Sequence, residues 1–191
     1  MQNSTSKVRV LTGTAMLGAV AAVLMYLEFP IPIMPAFVKL DVSELPALIA
    51  SFAYGPVSGI LVCLIKNLIK LPSTSTAAVG ELFNFVMGAL FVGVAGLIYK
   101  RNKTRKGAIV GALLGALVMA VVSVPYNYFI VYPAYVVMYH LPLDAIIGMY
   151  QAINPNVNGL LACLLVFNLP FTFVNCLLYT SPSPRDRSVS R

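Results

Sequence analysis

Five long apolar runs separated by short polar breaks organise the chain: residues 8–27, 45–65, 82–99, 108 to about 131, and 157–179. A helix rises ~1.5 Å per residue and the hydrocarbon layer is ~30 Å thick, so the twenty residues of the first run predict one full crossing. The second run is ambiguous. Its twenty-one residues suit one helix, or two shorter ones broken at Gly55-Pro56, where glycine favours a helix stop and proline the first turn of the next helix. Two pieces would each be short, needing shielding by protein or extension through Asp41–Glu44 and Lys66–Lys70. Between the first and second runs, Phe29-Pro-Ile-Pro-Ile-Met-Pro35 carries three prolines in six positions and predicts an extended apolar loop. The fourth run, the fifth helix if the second run is split, is expected to be interrupted at Pro125.

Charge decides between one helix and two. Lys100, Arg101, Lys103, Arg105 and Lys106 fall in one seven-residue stretch, and loops this basic face the cytoplasm. A single crossing at 45–65, with the amino terminus inside, would put that stretch outside. Two crossings return it, giving six in all with both termini inside. Ten of the 13 basic residues (Lys7, Arg9, the five above, Arg185, Arg187 and Arg191) then lie inside, and five of six acids at or near the outer side. The expected fold class is all-α: a polytopic six-transmembrane-helix bundle with short second and third helices.

Composition agrees and excludes. Apolar residues make up 59% and the mean hydropathy is +0.87, values of a membrane protein. A chain of 191 residues built this way has no room for a soluble catalytic or nucleotide-binding domain, and no glycine-rich phosphate loop is present, so an ATP-driven step needs a partner. The net charge of +7 is spread over short interhelical segments as orientation signals, which argues against nucleic acid. Cys63, Cys163 and Cys176 stand singly in apolar runs and read as buried small hydrophobes. The apolar stretch of the first run exceeds a signal-peptide core and Glu28-Phe29-Pro30 is a poor cleavage site, so it is expected to be retained. No paired Ser and His, no metal-ligand set and a lone His140 beside a Pro-flanked outer loop leave no basis for an enzyme, a metal site or a cofactor.

Small residues at Ala15, Gly18, Ala19 and Ala22 form adjoining stripes on the first helix, the pattern that lets a second helix approach closely in lipid, either a partner's or one of the bundle's own. Gly111, Gly115, Ala112 and Ala116 form a second such surface. Polar residues gather near the outer helix ends: Asp41, Glu44, Lys66, Asn67, Lys70, Glu81, Asn84 and Asn127, with Asn168, Thr172 and Asn175 progressively deeper. Lys70 and Glu81 read best as interfacial. With walls from Phe83, Phe85, Tyr126, Tyr128 and Tyr132, such a pocket suits a neutral, flat, hydroxyl-bearing ligand.

Several segments together carry a resemblance. They are the small-residue first helix (Ala15, Ala19), Phe29-Pro-Ile-Pro-Ile-Met-Pro with Lys39-Leu-Asp-Val-Ser-Glu-Leu-Pro-Ala-Leu, Phe52-Ala-Tyr-Gly-Pro, Lys66-Asn67-Leu68, Gly80-Glu-Leu-Phe-Asn-Phe, Tyr126-Asn-Tyr-Phe, and Asn168-Leu-Pro-Phe. Over roughly residues 8–175 the chain resembles the substrate-binding S-components of energy-coupling-factor (ECF) vitamin transporters, most closely the riboflavin-specific members. The resemblance implies a subunit of the bacterial plasma membrane that captures riboflavin from outside and is energised by a transmembrane coupling subunit and two cytoplasmic ATPases. It implies substrate contacts at Leu40, Asp41, Glu44, Asn84, Asn127, Thr172 and Asn175, and docking of the coupling subunit on the first helix at Ala15, Gly18, Ala19 and Ala22. Its rivals are an S-component for another vitamin, an intramembrane enzyme and a small channel. The end departs from the family: relatives carry lysine then glycine where this chain has Asn175-Cys176, and their last helix continues apolar where Tyr179 here gives way to Thr-Ser-Pro-Ser-Pro-Arg-Asp-Arg. Residues 1–175 are therefore expected to be the membrane-embedded unit. Residues 176–191 are expected to be a non-native, partly disordered tail resembling a translated sequencing adapter.

Overall fold

The computed structural model describes residues 2–30, 39–74, 78–140, 142–157 and 159–178. The expected extended loop, beyond Pro30, and the tail from Tyr179 onward lie outside the described residues.

Helix α1 (Gln2–Tyr26) covers the first run without a break. At its end Phe29–Pro30 (β1) pairs antiparallel with Lys39–Leu40 (β2), a two-residue ladder that closes the base of the intervening loop. The second run does split: α2 (Glu44–Tyr54) stops at Gly55, and α3 (Pro56–Lys70) starts on proline. Gly55 sits at φ 107°, which L side chains rarely adopt, and its N–H caps Ser51 O at 3.0 Å. Helix α2 begins at Glu44 rather than reaching back to Asp41, whereas the helical path after α3 runs on through a 3₁₀ turn over Leu71–Ser73.

Helices α4 (Val79–Arg101) and α5 (Arg105–Tyr126) form the central hairpin. Thr104 joins them as the N-cap of α5, its hydroxyl accepting from Gly107 N–H at 3.0 Å. The Gly111 and Gly115 surface is spent inside the bundle. A Cβ on Gly111 would stand 2.8 Å from Ala95 O, and one on Gly115 2.7 Å from Phe91 O, so α4 and α5 touch backbone to backbone there.

Pro125 does not interrupt the helix. The rod passes through it, takes a π-turn over Asn127–Val131 and continues as α6 (Tyr132–Tyr139). Proline withholds one backbone donor, and a local widening with neighbouring helices re-satisfies the rest, which is how transmembrane helices tolerate it. A second π-turn, Leu164–Asn168, joins α8 (Leu160–Cys163) to α9 (Leu169–Leu178), two residues before Pro170.

The expected count of six helices is not what the described residues give. Joined across their π-turns, they make seven helical segments, because α7 (Leu143–Gln151) occupies what the sequence reading treated as an outer loop. Four segments are long and apolar enough to cross a membrane: 7–26, 56–73, 79–101 and 105–138. Two cores hold the bundle. One joins α1 to α5 and α9 around Ala47, Val62, Phe91, Ala95, Ala116 and Cys176; the other joins α5 to α9 around Tyr132, Ile146, Tyr150, Cys163 and Phe167. All three cysteines are buried and free.

Candidate functional site

Helices α2, α3 and α4 converge on a cluster of charge that is sealed from solvent. Lys66 lies on the inward face of α3 with Cys63 and Asn67, and no part of it is exposed. Its ammonium donates to Glu44 Oε1 at 2.6 Å and to Ser43 Oγ at 2.6 Å, and stands 3.7 Å from Asp41 Oδ2. Ser43 passes the interaction on, donating from Oγ to Asp41 Oδ2 and from its backbone N–H to Asp41 Oδ1, both at 2.7 Å. The other Glu44 oxygen receives the Cys63 thiol at a long 3.5 Å.

Helix α4 supports this corner from behind. The Glu44 carboxylate rests where a Cβ on Gly88 would be, so glycine is required for the close approach. Asn84 stands one turn earlier on α4, half-buried, and its neighbour Phe83 packs on Tyr126 with ring centroids 5.6 Å apart. That contact brings the α4 side of the site against Asn127, which is buried at the start of the first π-turn and donates to Ser123 O at 2.8 Å. Leu40, Asp41, Glu44, Asn84 and Asn127 are thus linked through successive contacts. Thr172 and Asn175 are half-buried at i, i+3 on α9, whose Cys176 donates to Met119 of α5 at 3.4 Å and shares a core with Cys63.

The sequence reading grouped Lys66 with the outer polar residues but did not place it among the ligand contacts; it passed over Ser43 and Gly88. A lysine between cysteine and asparagine on an apolar helix was the available signal, since such a charge needs a partner. Asn67 donates to Cys63 O at 2.8 Å. Lys70 is less interfacial than expected: it pairs with Glu28, donates to Met25 O at 3.0 Å and lies over the Tyr26 ring. Glu81 is buried and accepts from Thr74 Oγ1 at 2.7 Å.

A second buried polar group lies in the other core. The Tyr132 and Tyr150 hydroxyls share a hydrogen bond of 2.7 Å, and Tyr150 donates to Asn168 Oδ1 at 2.8 Å, tying α6, α7 and the second π-turn together. Burial pushes the Tyr150 phenol well above its ordinary value, so it stays protonated. His140 is exposed, capping α6 in a left-handed conformation. Among the described residues no group of three His, Cys, Asp or Glu is placed to hold a metal ion. A cavity of about 300 Å³ between α1 and α3, lined by Lys7, Val10, Leu11, Thr14, Ser58 and Leu61, opens at the opposite end of those helices from the Lys66 cluster.

The small residues of α1 divide. Gly18 packs on Ile65 and Ala22 is buried, while Ala15 and Ala19 face outward.

A family model described as the substrate-specific component of ECF transporters matches residues 9–181. Riboflavin transporter FmnP of Bacillus subtilis (strain 168) is 34% identical over 181 residues, which cover 93% of this chain and 94% of that protein. Riboflavin transporter RibU of Staphylococcus aureus (strain TCH60) is 39% identical over 127 residues, 66% of this chain and 67% of that one. Among solved structures, the S component of a bacterial ECF transporter superposes with a TM-score of 0.69 at 31% identity, covering the whole of both chains.

Proposed function

The chain belongs to the family of ECF transporter substrate-specific components, and on that premise we propose that it is a riboflavin-binding membrane subunit that carries out no covalent chemistry. The observation that carries this reading is 34% identity to a riboflavin transporter across nearly the full length of both proteins. Riboflavin is its transported ligand, not a cofactor.

Six of the seven helical segments cross the bilayer in this proposal. Helix α7 has nine residues, ~13 Å of rise, and lies at the outer surface. Both termini and the Lys100–Lys106 loop face the cytoplasm, as the basic-residue bias supports. The riboflavin site then sits toward the outer side, formed by Leu40, Asp41, Glu44, Asn84, Asn127, Thr172 and Asn175. The isoalloxazine ring lies against aliphatic and aromatic walls while amides and carboxylates meet the ring edge and ribityl hydroxyls. A wrong vitamin leaves some of these desolvated groups unmatched, which supplies selectivity. The outward face of α1 docks a transmembrane coupling subunit, and two cytoplasmic ATPases drive delivery to the inside. The binding unit ends near residue 175, and the tail beyond it is foreign sequence; an uninterrupted genomic match through Arg191 would refute that last point.

Titrating the detergent-purified chain with riboflavin tests the reading. Flavin fluorescence is quenched on binding and the protein turns yellow; the chain has no tryptophan to confuse the signal. Glu44→Ala, Asn84→Ala and Asn127→Ala each weaken binding. No quenching by riboflavin, with quenching or stabilisation by a different vitamin, reassigns the substrate; unchanged affinity in all three variants rejects the site.

A further inference from the structure

We propose that Lys66 is the positioning residue of the riboflavin site, fixing the Asp41–Glu44 corner so that Glu44 presents a free carboxylate edge to the ligand. This rests on the riboflavin reading above and adds to it a residue with no ligand contact of its own.

Three of the proposed contacts, Leu40, Asp41 and Glu44, fall within five consecutive residues at the point where the first outer loop enters α2. Their orientation depends on how that stretch is held. The two-residue ladder fixes Leu40 through its pairing with Phe29. The next four residues are held by one cation, which meets Glu44 directly and Asp41 both directly and through the Ser43 hydroxyl.

Stability alone is a poor reason for this arrangement. A lysine with no exposed surface has lost its hydration, and a buried ion pair generally stabilises a fold no better than apolar side chains of the same volume. Leucine or methionine at 66 would pack α3 against α2 without a charge. The ammonium gives direction instead: it uses Glu44 Oε1 and keeps both carboxylates ionised in a sealed corner. That leaves Glu44 Oε2, met at 3.5 Å by a weakly donating thiol, with acceptor capacity for a ligand N–H or O–H. Gly88 prevents the carboxylate from being pushed off this line by a side chain from α4.

The test is a double-mutant cycle on the full-length chain in detergent, read by riboflavin fluorescence quenching, with melting temperatures measured without riboflavin. Wild-type binding is read first, because its absence removes the riboflavin reading itself. Lys66→Met weakens riboflavin affinity about 30-fold in the wild-type background but less than about threefold once Glu44→Gln is present, since Lys66 acts through that carboxylate. Lys66→Arg keeps the charge but moves its donors, and weakens affinity about tenfold while the ligand-free melting temperature stays within a few degrees. If Lys66→Met does not fold, the Lys66→Arg and Glu44→Gln arms decide. Wild-type affinity in a folded Lys66→Met or Lys66→Arg protein overturns the proposal, and so does an equal loss from Lys66→Met in both backgrounds.

Discussion

The Tyr26 and Ser73 hydroxyls share a hydrogen bond of 2.8 Å across 47 positions, and Gly18 meets Ile65 at the same separation. A constant offset between two packed helices means that they run parallel. Helix α1 and the helix of α3 therefore point the same way, and α2 must return between them. This doubling back is a geometric counterpart of the charge argument, and it depends on the break at Gly55.

If α1 leads outward, so does α3, and the turn after it faces outside while the loop between α4 and α5 faces inside. In a chain whose three cysteines are replaced, Pro72→Cys is labelled by a membrane-impermeant maleimide in intact cells. Lys103→Cys is labelled only after permeabilisation. The opposite labelling pattern would invert the bundle and move the proposed site to the cytoplasmic side.

Tyr150 fastens α7 to the rest of the molecule. Removing its hydroxyl leaves Asn168 Oδ1 without that donor in a buried position, a loss of about 1–3 kcal/mol. For a chain of this size that corresponds to a drop of roughly 2–12 °C in melting temperature for Tyr150→Phe. Tyr128→Phe, at a side chain 39% exposed, leaves it unchanged. Equal melting temperatures for all three proteins would mean that the hydroxyl contributes nothing to holding α7.

Contact between α4 and α5 requires that no side chain stand at residue 115. Gly115→Leu would drive its Cβ toward the Phe91 carbonyl, so the two helices must separate, at a cost of at least about 1–3 kcal/mol. Gly148→Leu on α7 has open space around it and is tolerated. Thermal unfolding in detergent distinguishes them: a lower transition for the first and an unchanged one for the second.

Much of this fold was legible because lipid imposes strong rules on sequence. Run length, the basic loop and Gly55-Pro56 each have a direct physical reading, and the break at Gly55 stands where they place it. Helix α7 was not legible because its inward stripe is only Ile146 and Tyr150, one turn apart between prolines at 142 and 155, too short for a periodic signal. Pro125 misled for a different reason: an interior proline breaks an isolated helix, but the π-turn after it and the packing against α9 come from tertiary structure. At the site, the sequence pointed to acids and amides at the outer helix ends. It could not show that Ser43 Oγ and Lys66 meet, because the pairing spans 23 positions and depends on the α2–α3 hairpin closing.

The two stripes of small residues on α1 make opposite predictions. Gly18 and Ala22 are consumed by the bundle: a Cβ on Gly18 already meets Ile65 at 3.0 Å, so Gly18→Leu separates α1 from α3 and lowers the melting temperature. Ala15 and Ala19 face outward, one turn apart, where a leucine meets lipid rather than protein. Ala15→Leu with Ala19→Leu therefore leaves melting temperature and riboflavin affinity within about twofold of wild type, because no packed side chain is displaced. The same pair blocks close approach by a second helix, so co-purification with the coupling subunit is lost. Retained co-purification by this double variant would remove the outward stripe from the docking surface. A fall in its melting temperature would show that Ala15 and Ala19 serve the bundle instead.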